Sequence, residues 1–149
     1  MNRWGRDRFR AFSAGVDPKG EVHPMALEIL SRHGLPTEGL LSKSWTRFLA
    51  PDRDKKDQID FIIVIRDQAA GEECLEWPGR PLTACWNVAD PDAHDESAQS
   101  KATRFRRVFQ ELENRIRIMT CLRPDAIDRL SLKHRTQPRA EQLENQPPG

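Results

Sequence analysis

The run Ile59-Asp60-Phe61-Ile62-Ile63-Val64-Ile65 constrains the fold more than any other part of this chain. Its β-branched residues are continuous rather than alternating, which fits a strand covered on both faces. Strands of that kind belong to parallel sheets, where crossover helices lie on either side. Other segments agree with this. Phe9 to Ser13 alternates apolar and polar residues and reads as a short strand that stops at Ala14-Gly15. Leu82 to Trp86 reads as a last short strand.

Helices alternate with these strands. Pro24 suits the first turn of a helix whose apolar stripe is Met25, Ala26, Ile29 and Leu30 and which ends near Gly34. Ser44 to Leu49 reads as a short helix closed by Pro51. Ser100 or Gln99 begins a long final helix, on which Phe105, Val108, Phe109, Leu112, Ile116 and Met119 recur at helical spacing and face the sheet. Pro124 ends it, and Asp125 can cap a further short helix through Lys133. The predicted class is α/β, with one domain over residues 1–135 and a polar, Pro-rich, disordered tail over 136–149. Arg66 to Pro81 is a long Gly- and Pro-containing loop, a length that usually accompanies function or motion.

The 24 Lys and Arg nearly balance the 23 Asp and Glu, which argues against nucleic acid as a partner. The one basic concentration, Arg3, Arg6, Arg8 and Arg10, reads as a solvated face. The longest apolar run, Phe61 to Ile65, is far short of the ~20 residues that cross a bilayer, and no signal-peptide pattern opens the chain, so the expected setting is cytoplasmic. Cys74, Cys85 and Cys121 are too few and too irregular for a disulfide framework or a zinc site, and the four histidines lack metal-ligand spacing. Neither a metal nor a cofactor is expected. From residue type alone, Cys85 and Cys121 read as small buried hydrophobes.

Taken in order, Arg8-Phe9-Arg10-Ala11-Phe12-Ser13-Ala14-Gly15, Ser42-Lys43-Ser44-Trp45, Asp67 to Cys74 with Trp77-Pro78-Gly79, and Trp86-Asn87-Val88-Ala89-Asp90-Pro91 resemble the low-molecular-weight protein tyrosine phosphatase superfamily. Within it they look most like bacterial arsenate reductases. The resemblance implies a three-layer fold around a four-stranded parallel sheet, in which the first strand leads into a Cys-x5-Arg phosphate loop. Met1 to Gly5 looks like the tail of the helix after that loop. The expectation is therefore an incomplete domain without its first strand, with two strand edges left to repair by a strand shift or by oligomerisation.

What the resemblance implies for the site follows by position. Asp90, before the rigid Pro91, is the general acid that protonates the leaving oxygen. From the dipeptide alone, Asp-Pro reads as an ordinary turn starter, and it is the preceding Trp86-Asn87-Val88 that favours the acid. Cys74 is the second redox relay thiol, while Arg66 stands where the first would fall and Cys85 is a possible substitute. Ser13, Gly15 and Ser42 border the oxyanion site, although helix-start duty explains Ser42 or Ser44 as well. The implied partners are arsenate or phosphate, with thioredoxin or a low-molecular-weight thiol as reductant.

Residues 1–149 hold one Cys-x5-Arg, Cys74 to Arg80, and its interior does not suit a phosphate cradle. Pro78 offers no N–H, Glu76 repels anions, and bulky side chains replace the small residues that let backbone amides converge. The reading is an arsenate reductase-like protein that is inactive as these residues stand. The alternatives are a dead remnant that binds a partner or senses oxyanions, and a tyrosine phosphatase-like hydrolase.

Overall fold

The computed structural model describes residues 1–49, 59–67, 82–93, 97–123 and 125–126. In chain order they form α1 (Asn2–Gly5), a 3₁₀ turn (Arg6–Arg8), α2 (Pro24–Arg32), a second 3₁₀ turn (Trp45–Phe48), β1 (Phe61–Arg66), β2 (Leu82–Asn87) and α3 (Ala98–Cys121). The class is α/β, and β1 pairs with β2 in parallel from Phe61 opposite Leu82 to Arg66 opposite Asn87.

The helices start and stop where side chains can satisfy the free backbone groups. Pro24 opens α2, and the His23 ring accepts from the Met25 N–H at 3.2 Å. At the other end Gly34, with φ of 64°, closes a Schellman motif in which Leu35 N–H donates to Leu30 C=O at 2.9 Å and Gly34 N–H to Ser31 C=O at 3.0 Å. Ser97 caps α3 through the Ser100 N–H, so the helix begins at Ala98, one or two residues ahead of the expected start. Ser44 caps the second 3₁₀ turn through Thr46, so the capping duty falls to Ser44 and not to Ser42.

The apolar stripe of α3 forms the centre of the helix layer. Phe105 and Met119 are buried, together with Ile29 of α2, and α3 meets both α2 and α1. Two imidazole–phenyl contacts tie α2 to α3 at its two ends. His23 stacks on Phe105 at 4.6 Å between ring centroids, and His33 lies tilted against Phe109 at 4.3 Å.

Three expectations need correction. Phe9 to Ser13 is not a strand, because a strand needs a ladder partner and this segment has only isolated ones. The Asn2 side-chain amide exchanges two hydrogen bonds with the backbone of Ala11, at 2.7 and 3.3 Å, and a single parallel bridge joins Gly15 to Ser44. Second, β1 is only half-buried, with Ile65 53% exposed, so its apolar run does not have cover on both faces along its whole length.

Third, the basic cluster near the N-terminus is not merely a solvated face. The Arg3 guanidinium donates to the carbonyls of His33 at 2.9 Å and Gly34 at 3.2 Å, just past the end of α2. Arg8 donates to the carbonyls of Thr120 and Leu122 at the end of α3. Both arginines bring positive charge and N–H donors to helix C-termini, where free carbonyls and the helix dipole favour them. The expected helix through Lys133 and the tail over 136–149 lie outside the described residues apart from Asp125 and Ala126.

Candidate active site

Parallel strands present their carboxyl ends to the same side, which is where open α/β sheets bind ligands. Here that side carries Arg66 at the end of β1 with Asp67 after it, and Val88 to Asp92 after β2. Val88 is buried and extends the pairing by donating to the Arg66 carbonyl at 2.9 Å. This bond fixes where the chain leaves the sheet.

Asp90 sits two residues farther on, exposed to solvent, and three hydrogen bonds set its position. Its N–H donates to the Asp67 carboxylate at 2.9 Å, which anchors the loop across to the end of β1. Its own Oδ1 accepts from the Asp92 N–H at 2.9 Å. The Ala93 N–H reaches back to the Asp90 carbonyl at 3.4 Å, closing a turn with Pro91 at its second position. The turn-starter reading of Asp90 is therefore the one this geometry shows. One carboxylate oxygen shapes the turn, and Oδ2 accepts no hydrogen bond among the described residues.

Asp92 is the second anchor of this loop. Its Oδ1 accepts from Lys101 Nζ of α3 at 2.7 Å, and His23 Nε2 lies 3.7 Å from the same oxygen. The hydrogen bond to Lys101 holds the Asp92 carboxyl below its ordinary value, with the charges of Lys101, His23 and Lys19 acting in the same direction and desolvation opposing them. Since His23 Nδ1 accepts from Met25 N–H, the neutral ring carries its proton on Nε2, toward Asp92. The Asp90 loop is thus fastened to β1 through Asp67, to α3 through Lys101, and brought against the start of α2.

Arg115 of α3 adds a support beneath the end of β2. It donates to the Asn87 carbonyl at 3.3 Å, stands 5.7 Å from the Trp86 ring centre and pairs with Glu111 at 2.6 Å. Trp86 is thereby a packing residue that steadies the strand leading to Asp90.

The other sequence-derived positions are placed less closely. Gly15 and the Ser42–Ser44 stretch come together, with Gly15 N–H donating to Lys43 C=O at 2.9 Å and Trp45 N–H to Gly15 C=O at 3.1 Å. Ser13 is exposed, and Ser42 is half-buried. Among the described residues no hydrogen bond links Ser13, Gly15 or Ser42 to Asp90. Cys74 lies outside the described residues. Cys85 and Cys121 are exposed rather than buried, because Cys85 falls on the open face of β2 and Cys121 at the end of α3. Cys85 is disulfide-bonded and Cys121 is a free thiol.

Asp67, Lys101 and His23 were not legible as site residues in the sequence. Asp67 follows the β1 run directly and opens the family-resembling segment Asp67 to Cys74, but neither signal gave it a role, and Lys101 and His23 reach the loop from distant positions. Among the described residues, no group of three or more potential ligands is placed to hold a metal ion, and no helix is long and apolar enough to cross a membrane.

A search of curated proteins finds no match. The family model of the low molecular weight phosphotyrosine protein phosphatases matches residues 1–129, nearly the whole chain and the entire region that carries the Asp90 loop. With parallel strands, the 24-residue helix α3 and an Asp-Pro turn at the carboxyl end of the sheet, this chain belongs to the low molecular weight phosphotyrosine protein phosphatase family.

Proposed function

We propose that the chain is an arsenate reductase-type member of this family, with Asp90 as its general acid and Cys74 and Cys85 as its relay thiols. The observation that carries the reading is the Asp90 loop. An exposed carboxyl, with one oxygen uncommitted among the described residues, is held at the carboxyl end of a parallel sheet by Asp67 and Asp92. That is the arrangement a proton donor needs, with the backbone fixed and the acidic oxygen open to a ligand.

The redox branch is favoured over simple ester hydrolysis by Cys85, which is exposed and already disulfide-bonded. Hydrolysis of a phosphate ester consumes no thiol pair, whereas reduction of arsenate does. In the proposed chemistry a thiolate attacks arsenic and Asp90 protonates the departing hydroxide, which leaves as water. A second thiolate then attacks the sulfur of the S–As bond. A disulfide forms, arsenic keeps the electron pair and arsenite departs. Two thiols are oxidised and arsenic(V) becomes arsenic(III). Thioredoxin or a low-molecular-weight thiol then reopens the disulfide, in keeping with a reducing cytoplasmic setting.

Residues 1–149 by themselves supply the acid and the relay but not the nucleophile. Cys74 to Arg80 is their only Cys-x5-Arg, and its Glu76 and Pro78 do not suit an amide cradle. The proposal therefore includes no turnover by these residues alone. Peptide mapping of the non-reduced protein tests the relay. A Cys74–Cys85 cross-link that thioredoxin opens is expected. Persistence of the oxidised Cys85 in Cys74→Ser would contradict the assignment and leave the hydrolase reading in its place.

A further inference from the structure

A second cleft lies around the Gly15–Ser44 bridge, and none of its lining residues belongs to the Asp90 loop. An open cleft of about 350 Å³ is lined by Phe12, Gly39, Leu41, Lys43, Arg47 and Phe48. Phe12, Leu41 and Phe48 bring accessible apolar side chains to it. Phe12 is 45% and Leu41 57% exposed, and the Phe12 and Phe48 rings meet at 5.5 Å with a 51° tilt, leaving an angled aromatic wall. Large exposed apolar residues gather on these two bridged segments, including Val16, Leu40 and Leu49. Apolar surface grouped in this way marks a binding site more often than scattered residues do.

The rim has one sign of charge. Lys43 and Arg47 line the cleft and make no ion pair among the described residues, and the Arg10 guanidinium stands 5.1 Å from the Phe12 ring centre. No carboxylate lines the cleft among the described residues. Aromatic wall and cationic rim together select a ligand with a flat apolar body and an anionic head. A neutral arene forgoes the two cations, and a bare inorganic anion forgoes the wall.

We propose that this cleft binds small aryl carboxylates or comparable arene-bearing anions, with the ring against Phe12 and Phe48 and the anionic group between Lys43 and Arg47. This inference does not rest on the arsenate reading, because none of its residues bonds to the Asp90 loop among the described residues.

Calorimetric titration of the full chain with 2-naphthoate tests it. Saturable one-to-one binding is expected, about tenfold weaker in the double variant Lys43→Gln/Arg47→Gln, since each partly exposed ion pair contributes a few-fold. Neutral 2-naphthalenemethanol is expected to bind about tenfold more weakly than 2-naphthoate, for the same reason. Asp90→Asn should bind the naphthoate as the unaltered chain does, and inorganic phosphate should not displace it. Circular dichroism of each variant confirms that the fold is retained. An absence of saturable binding, equal affinity in the double variant, or loss of binding in Asp90→Asn or on adding phosphate would each overturn the proposal. The last two would also assign the ligand to the Asp90 side instead.

Discussion

Replacing Arg8 by alanine should destabilise the protein by about 2 kcal/mol, and the structure shows where that figure comes from. Arg8 donates to two carbonyls at the end of α3, those of Thr120 and Leu122. Thr120 is only 4% exposed, so water cannot readily replace the guanidinium there, and an unsatisfied buried carbonyl costs ~1–3 kcal/mol. The Leu122 carbonyl is more accessible and adds little. Loss of a positive charge from the C-terminal end of a helix contributes a further ~0.3–1 kcal/mol. A total near 2 kcal/mol corresponds to a fall in Tm of about 4–8 °C for a domain of this size.

Thermal unfolding followed by far-UV circular dichroism measures this directly. Arg8→Lys keeps the charge but not the two-pronged donor, so it should fall between the unaltered chain and Arg8→Ala. Arg107→Ala, on an exposed part of α3, is the control and should change stability by less than ~0.5 kcal/mol. A Tm for Arg8→Ala within 1 °C of the starting protein, or equal to that of the control, would refute the clamp.

The remaining expectations concern single residues. Gly34→Ala places a side chain at φ of 64°, where only glycine is relaxed, and should cost ~1–2 kcal/mol in chemical denaturation; an unchanged midpoint would mean that the Schellman turn has rearranged. Asp92→Asn should reveal a pH dependence. Because Lys101 lowers the carboxyl's pKa in the folded state, its stabilisation is complete above the ordinary aspartate value of 3.8 and is lost as pH falls through the lower folded value. The Tm difference between the two proteins should persist as pH falls to 3.8 and close only well below it. A difference that closes between pH 5 and 7 would point to a group other than Asp92.

Much of the fold was legible because periodicity and punctuation are local signals. The α3 stripe, the Pro24 start and Gly34 stop of α2, and the apolar run of β1 each state their structure within a few residues. Phe9 to Ser13 misled because alternation only makes a segment able to pair, and pairing depends on what lies alongside it. The arginine caps were hidden for a similar reason: Arg8 and Thr120 are 112 positions apart, and composition shows only a basic patch. At the carboxyl end of the sheet, the Asp90–Pro91 turn was readable from its Pro and the residues before it. Its anchors Asp67, Lys101 and His23 were not, since a hydrogen bond across a sheet end leaves no pattern in any one stretch. Cysteine burial was misjudged because residue type predicts an average, whereas Cys85 happens to fall on the open side of β2.

The account turns on the distinction between a well-placed acid and a complete catalytic site. Incubating residues 1–149 with arsenate and a thioredoxin system, and separately with p-nitrophenyl phosphate, tests it most directly. No arsenite and no nitrophenol should form above the protein-free rate at any pH. Turnover abolished by Cys74→Ser would contradict the claim and make Cys74 to Arg80 a working phosphate loop.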